Sequence, residues 1–162
     1  MSYRVKMILP VVIMFLTLGY AAMAIVRGDS REIKQPLPPF LDDLATVKLV
    51  EIRDGGGRVV LAGNFTLTTE KDGDIEGAAP LTATDVDPNA AGEAEMEISN
   101  KKNSFAISNK KNSVAEKELE AEVWNLAAHT SYKLFIDGLQ AASFKTNHRG
   151  AAELEMTNVP SR

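Results

Sequence analysis

Cysteine is absent from the 162 residues, and histidine occurs only twice. The first absence excludes disulfides, thiol catalysis and lipid attachment at a cysteine behind a leader. The second leaves His129 and His148, too few for most zinc sites and for most His-dependent acid–base chemistry. Neither shares a motif with a Ser or Cys nucleophile, so no catalytic residue is assigned and the chain reads as non-enzymatic. Basic charge is also short: 18 Lys and Arg stand against 22 Asp and Glu, for a formal net charge of −4. An acidic chain gains nothing from a phosphate backbone, so nucleic acid is not an expected partner. Aromatics make up 6% of the chain, and Trp124 is the single tryptophan. Beyond Val26 no apolar run approaches the ~20 residues of a membrane-spanning helix.

What is present begins at the N-terminus. Arg4 and Lys6 precede the apolar run Met7–Leu18, and Ala22 and Ala24 occupy the −3 and −1 positions of an A-x-A site. That is the anatomy of a signal peptide over residues 1–24, with a mature chain from Ile25. A second reading takes residues 7–26 as an uncleaved anchor helix, since the run is long enough to span and positive charge precedes it. Pro10 would kink such a helix. Both readings put the rest of the chain outside the cytoplasm, periplasmic or secreted, and membrane contact is expected only through this helix if it persists.

Residues 25–44 read as a proline-containing linker. Gln35–Phe40 is QPLPPF, which favours extended polyproline conformation and is excluded from a sheet interior. Residues 45–162 form the expected domain. Strands are expected over Thr46–Arg53, Arg58–Thr68 with Gly63 at a bulge or close contact, Leu81–Val86, Glu93–Ser99, Lys117–Leu126, Tyr132–Asp137, Ala141–Thr146 and Ala151–Thr157, with Lys71–Gly77 as a polar loop. Asp137-Gly138 is a strong hairpin signal. Short strands with frequent turns and no helix after the leader give an all-β fold, an immunoglobulin-like antiparallel β-sandwich preceded by the hydrophobic signal or anchor helix.

Two internal likenesses stand out. Ile98–Ala106 and Ile107–Ala115 are tandem nine-residue copies that differ only at Phe105 and Val114. Nine is odd, so a strand through both would invert its faces, and the segment 98–115 reads as an elongated loop, with a small extra hairpin containing Phe105–Ser108 as the alternative. Ala91–Asn100 resembles Arg149–Asn158, either through shared alternation or through a duplicated hairpin unit.

The acidic residues are patterned. Glu93, Glu95 and Glu97 alternate with apolar residues, as do Glu118, Glu120 and Glu122, and Glu153 and Glu155. Paired strands of this kind would set glutamate against glutamate, an arrangement that solvent, Lys, a basic partner or Ca²⁺ must offset. Strict alternation puts Trp124 on the glutamate side, and the expectation is that a bulge turns it inward; otherwise it is a contact residue. Asp85, Asp87 and Asn89 begin like a calcium loop, but Ala90 and Met96 stand where a glycine and a glutamate are required. Asp72 and Asp74 form a second acidic loop, and these five are the weak candidates for Ca²⁺. Lys101, Lys102, Lys110 and Lys111 concentrate positive charge and, with Trp124, are the candidate contact surface. Asn64-Phe65-Thr66 is a glycosylation sequon relevant to a eukaryotic secretory route, and RGDS at Arg27–Ser30 is too short a match to carry an argument.

From ELEAEVWNL through YKLFIDG to GAAELEM, Glu118–Met156, the chain resembles bacterial extracytoplasmic β-sandwich modules of unknown function. The resemblance implies fold and compartment and brings no catalytic motif. The expected function is an exported binding or interaction module of the cell envelope, with an unidentified protein or envelope polymer as partner and no resident cofactor. The alternatives are a membrane-anchored extracytoplasmic subunit and a calcium-dependent domain that uses the acidic loops.

Overall fold

Period-two patterning sorts side chains to opposite faces of a strand, and the described part of the chain obeys it almost throughout. The computed structural model describes residues 32–71, 73–99 and 115–159. Among these it contains β1 (Glu32–Pro36), β2 (Leu49–Arg53), β3 (Val59–Asn64), β4 (Thr66–Thr69), β5 (Ile75–Ala83), β6 (Ala91–Ser99), β7 (Glu116–Trp124), β8 (Ser131–Ile136), β9 (Leu139–Lys145) and β10 (Ala152–Thr157). Two short 3-10 turns, Pro39–Leu41 and Leu44–Thr46, precede β2. The fold is all-β and of sandwich or barrel type. No helix among the described residues is long and apolar enough to cross a membrane, and residues 1–26, where a signal or anchor is expected, lie outside them.

The strands run in the order β1-β10-β7-β6-β5-β3-β2-β8-β9, with β4 also on β5. All neighbours are antiparallel except β1, which lies parallel to β10. β5 belongs to both halves: Ile75–Leu81 pair with β6, while Thr82 and Ala83 pair with β3. The corner where the chain changes sheets is written in small and special residues. A Cβ on Gly63 would stand 2.4 Å from the carbonyl oxygen of Pro80, so only glycine permits that approach. Pro80 has no N–H to offer, and it sits where β5 passes from β4 to β3 as its neighbour.

Burial of the inner faces holds the two halves together. Leu44, Ile52, Leu61, Leu119, Leu134, Ile136, Leu154 and Met156 are almost wholly excluded from solvent, each contributing about 1.5–3 kcal/mol relative to exposure. Turns fix the registers. Asp137 and Gly138 take φ of 47° and 82°, the positive values a tight hairpin needs. The Asp137 carboxylate also accepts from the Leu49 N–H at 2.8 Å, which ties the β8–β9 turn to β2. Asp54 closes the β2–β3 turn by accepting from the N–H groups of Gly56 and Arg58, each at 2.9 Å.

Several expectations need correction. The linker assigned to residues 25–44 does not survive over 32–44: β1 lies in the sheet, and Leu41 and Leu44 are buried in the core. An edge strand and polyproline have neighbouring dihedrals, and Pro36 ends the edge strand β1. Residues 25–31 lie outside the described residues. Lys71–Gly77 is not wholly loop, because Ile75–Gly77 start β5. The expected strand Arg58–Thr68 divides at Phe65 into β3 and β4, whose N–H donates to the Lys48 carbonyl at 2.9 Å. The likeness of Ala91–Asn100 to Arg149–Asn158 is not a duplicated hairpin: β6 pairs with its predecessor β5, whereas β10 pairs with β7 and β1.

Candidate functional site

β6, β7 and β10 lie side by side, and their alternation is in phase. Ala94, Met96, Leu119, Ala121, Val123, Ala152, Leu154 and Met156 fill the inner side. The glutamates are therefore driven outward together and fall into rows. Glu93 pairs with Glu122, and Glu122 with Glu153; Glu95 pairs with Glu120, and Glu120 with Glu155. Glu97 pairs with Glu118, which has Thr157 on its other side. β5 adds Glu76 beside Glu97, and β1 adds Glu32 beside Glu153. Sheet geometry spaces these carboxylates about 4.8 Å across strands and about 6.6 Å along them. Glu95 and Glu97 on this face are exposed, and Glu93, Glu118, Glu120, Glu122, Glu153 and Glu155 are partly buried.

Like charges in direct register are destabilising by tenths of a kcal/mol per pair, far less than the burial of the inner face returns. The central strand feels the repulsion most. Partial burial pushes the Glu120 carboxyl above its ordinary value, with Glu153, Glu95, Glu118 and Glu122 adding to the shift. Burial also raises Glu118, helped by Glu155, Glu97 and Glu116. Relief comes at the β1 margin. Lys34 Nζ lies 2.6 Å from Glu155 Oε2 and 2.8 Å from Glu32 Oε1, and these contacts hold its ammonium well above the usual lysine range.

Trp124 does not turn inward. β7 keeps its register to the end, where Trp124 pairs with Ala91, so the indole stays half-buried on the carboxylate face. The expected bulge is absent because Val123 fills the core position and Leu126 is the next residue to be buried.

The acidic loops are not brought together. Asp85, Asp87 and Asn89 lie in the turn after β5, while Asp74 precedes that strand. The nine residues of β5 separate them, roughly 30 Å of strand. Asp74 Oδ2 accepts from the Ser99 hydroxyl at 3.3 Å, and Asp72 lies outside the described residues. Among the described residues no three carboxyl or imidazole groups are placed to hold a metal ion. Lys101, Lys102, Lys110 and Lys111 also lie outside them, in the connection between β6 and β7, which are paired up to Ser99 and Glu116.

Two features were not anticipated. β1 supplies a cation to the glutamate face, and its signal was the alternation of Ile33 with Lys34 inside a segment dominated by prolines. On the other sheet, Arg53 stacks 4.1 Å over the Phe135 ring and reaches Glu51 Oε2 at 2.6 Å. Arg53 and Phe135 come from strands distant in sequence, so no local pattern announces them. Comparison with known protein families, with curated proteins and with solved structures returned no match.

Proposed function

We propose that this chain is a non-enzymatic interaction module of the cell envelope, exported by its leader, and that it meets a cationic partner through the outer face of β6, β7 and β10. The observation that carries the reading is the register: eight glutamates from three adjacent strands stand in rows on the side opposite the core. Carboxylates in such rows repel one another, and a partner with positive charge at strand-like spacing relieves the repulsion as it binds. Trp124 at the end of the face offers an aromatic contact for the apolar part of such a partner. The finer architecture proposed is an immunoglobulin-like sandwich, supported by two packed faces of antiparallel strands; the β8–β9 hairpin stands between β7 and β10 in the sequence.

The compartment rests on the leader, and the resemblance of Glu118–Met156 to extracytoplasmic modules supports it. A soluble module starting at Ile25 is the first form proposed, and a subunit held by residues 7–26 is the second. Intact mass and cell fraction test this directly. A chain beginning at Ile25 in the exported soluble fraction supports release, a full-length chain in the membrane supports the anchored form, and a full-length chain in the cytoplasm overturns both. The binding face is tested by titration with a lysine-rich peptide at low and high salt, since contact through solvent-accessible carboxylates must weaken as salt rises.

A further inference from the structure

We propose that β1 is an exchangeable strand: residues 32–37 of one copy of this chain dock on β10 of a second copy, in place of that copy's own β1. β1 is held lightly. None of its five residues is fully buried, whereas Ala152, Leu154 and Met156 of its partner β10 are each 0% exposed. It is the parallel strand among the described ladders, and parallel pairing is slightly weaker per residue. Gln35 on this strand buries its amide nitrogen without a hydrogen-bond partner, a cost that leaves with β1 when it detaches.

What β1 does gain is portable. The ladder to β10, the contact of Ile33 with the core and the Lys34–Glu155 ion pair involve surfaces that every copy presents. A second copy therefore reproduces them unchanged, which is the condition for strand exchange. The hinge is stiff. Pro36 ends the strand, Pro38 and Pro39 follow it, and Pro38 has φ of −60° and ψ of 142°, the extended polyproline conformation. Such a segment resists folding back and favours an arm that reaches outward. Beyond the hinge the chain is fixed at home by Leu41 and Leu44 in the core and by the ion pair of Asp42 with Lys117 at 2.7 Å. β4 also lacks buried residues, but Phe65 alone joins it to β3 and is bonded to Lys48, so it has no arm to swing.

The chain has no cysteine, so single thiols can be placed at will. Glu32 and Glu153 are direct partners in the β1–β10 ladder and both face outward. The full-length E32C and E153C proteins, one carrying a mass label, are unfolded together, refolded together over a range of concentrations and oxidised. Exchange predicts a disulfide-linked mixed dimer whose fraction rises with concentration, and a lower fraction when Pro38 and Pro39 are replaced by Ala in both chains. The pair T82C with E153C, which places one thiol on the other sheet, gives the background. A mixed-dimer yield no higher than that background overturns the proposal. The double variant E32C/E153C must close within one chain in dilute solution; failure to close would overturn the β1–β10 register on which the exchange depends.

Discussion

Lys34 Nζ lies 2.6 Å from Glu155 Oε2, and this contact joins the first strand of the domain to the carboxylate rows of β6, β7 and β10. A cation beside several carboxylates has a role beyond the pair. It offsets part of the repulsion that the register creates, and it ties down a strand with no fully buried side chain of its own. Replacing Lys34 by Gln removes both effects. The expected outcome is a lower melting temperature at low salt and a smaller deficit at high salt, because salt screens the repulsion that Lys34 offsets. Thermal melts of both proteins at two salt concentrations check this, and an equal deficit at both would count against it.

The glutamate rows give the protein an unusual pH response. Glu118 and Glu120 hold their protons more tightly in the folded chain than in the unfolded one. Their contribution to stability is complete below the ordinary glutamate pKa and fades as pH rises through the raised folded values. Asp42, lowered by Lys117, and Asp54, lowered by its bonds from Arg58, run the other way. Their contribution is present above the ordinary aspartate pKa and is lost as pH falls through the folded values. Stability is therefore expected to peak in mild acid, at about pH 4–5, and to fall towards neutrality. Urea unfolding across this range measures it. Glu120→Gln, a neutral stand-in for the protonated side chain, should raise stability at neutral pH by about 0.2–1 kcal/mol and flatten the decline.

Gly150 closes the turn before β10 with φ of 75°, and a Cβ there would stand 1.8 Å from the Leu126 carbonyl oxygen. That oxygen belongs to backbone and cannot swing aside. Gly150→Ala is expected to cost more than about 3 kcal/mol through overpacking and positive-φ strain. Gly138→Ala, in open space at φ of 82°, should cost only the backbone strain. Equal losses for the two variants in denaturant unfolding would refute the steric argument.

Asp137→Ala removes the acceptor of the Leu49 N–H and leaves a residue poorly suited to φ of 47°. A loss of about 1–3 kcal/mol is expected. Asp137→Asn keeps an acceptor oxygen and tolerates the left-handed conformation, so it should retain most of that stability. Chemical denaturation of the two variants side by side provides the comparison.

The parts of this structure that were legible in the sequence are those written locally. Alternation in Glu118–Val123 and its neighbours fixed which side chains face inward, and Asp137-Gly138 announced its hairpin. β1 was not legible, because Gln35-Pro36-Leu37-Pro38-Pro39 describes an extended chain whether or not it lies against a sheet, and its partner β10 is more than a hundred residues away. At the division the Phe65 N–H bonds the Lys48 carbonyl, again a contact between segments apart in the sequence. The candidate face was legible by composition only. Alternation supplied the glutamates, but their direct opposition across three strands followed from register. Trp124 was misjudged because a large aromatic was expected to seek the core, whereas the unbroken β7–β6 ladder keeps it outside.

The most direct test of the carboxylate face as an interaction surface compares the native chain with the triple variant E95Q/E97Q/E120Q. A peptide with lysine at alternate positions is titrated into each, and chemical-shift changes on β6, β7 and β10 are followed. The face predicts saturable binding by the native chain at low salt, with shifts confined to the outer residues of those strands, and little or none by a variant that melts at or above the native temperature. Equal binding by both proteins, or shifts centred on the other sheet, would contradict the account.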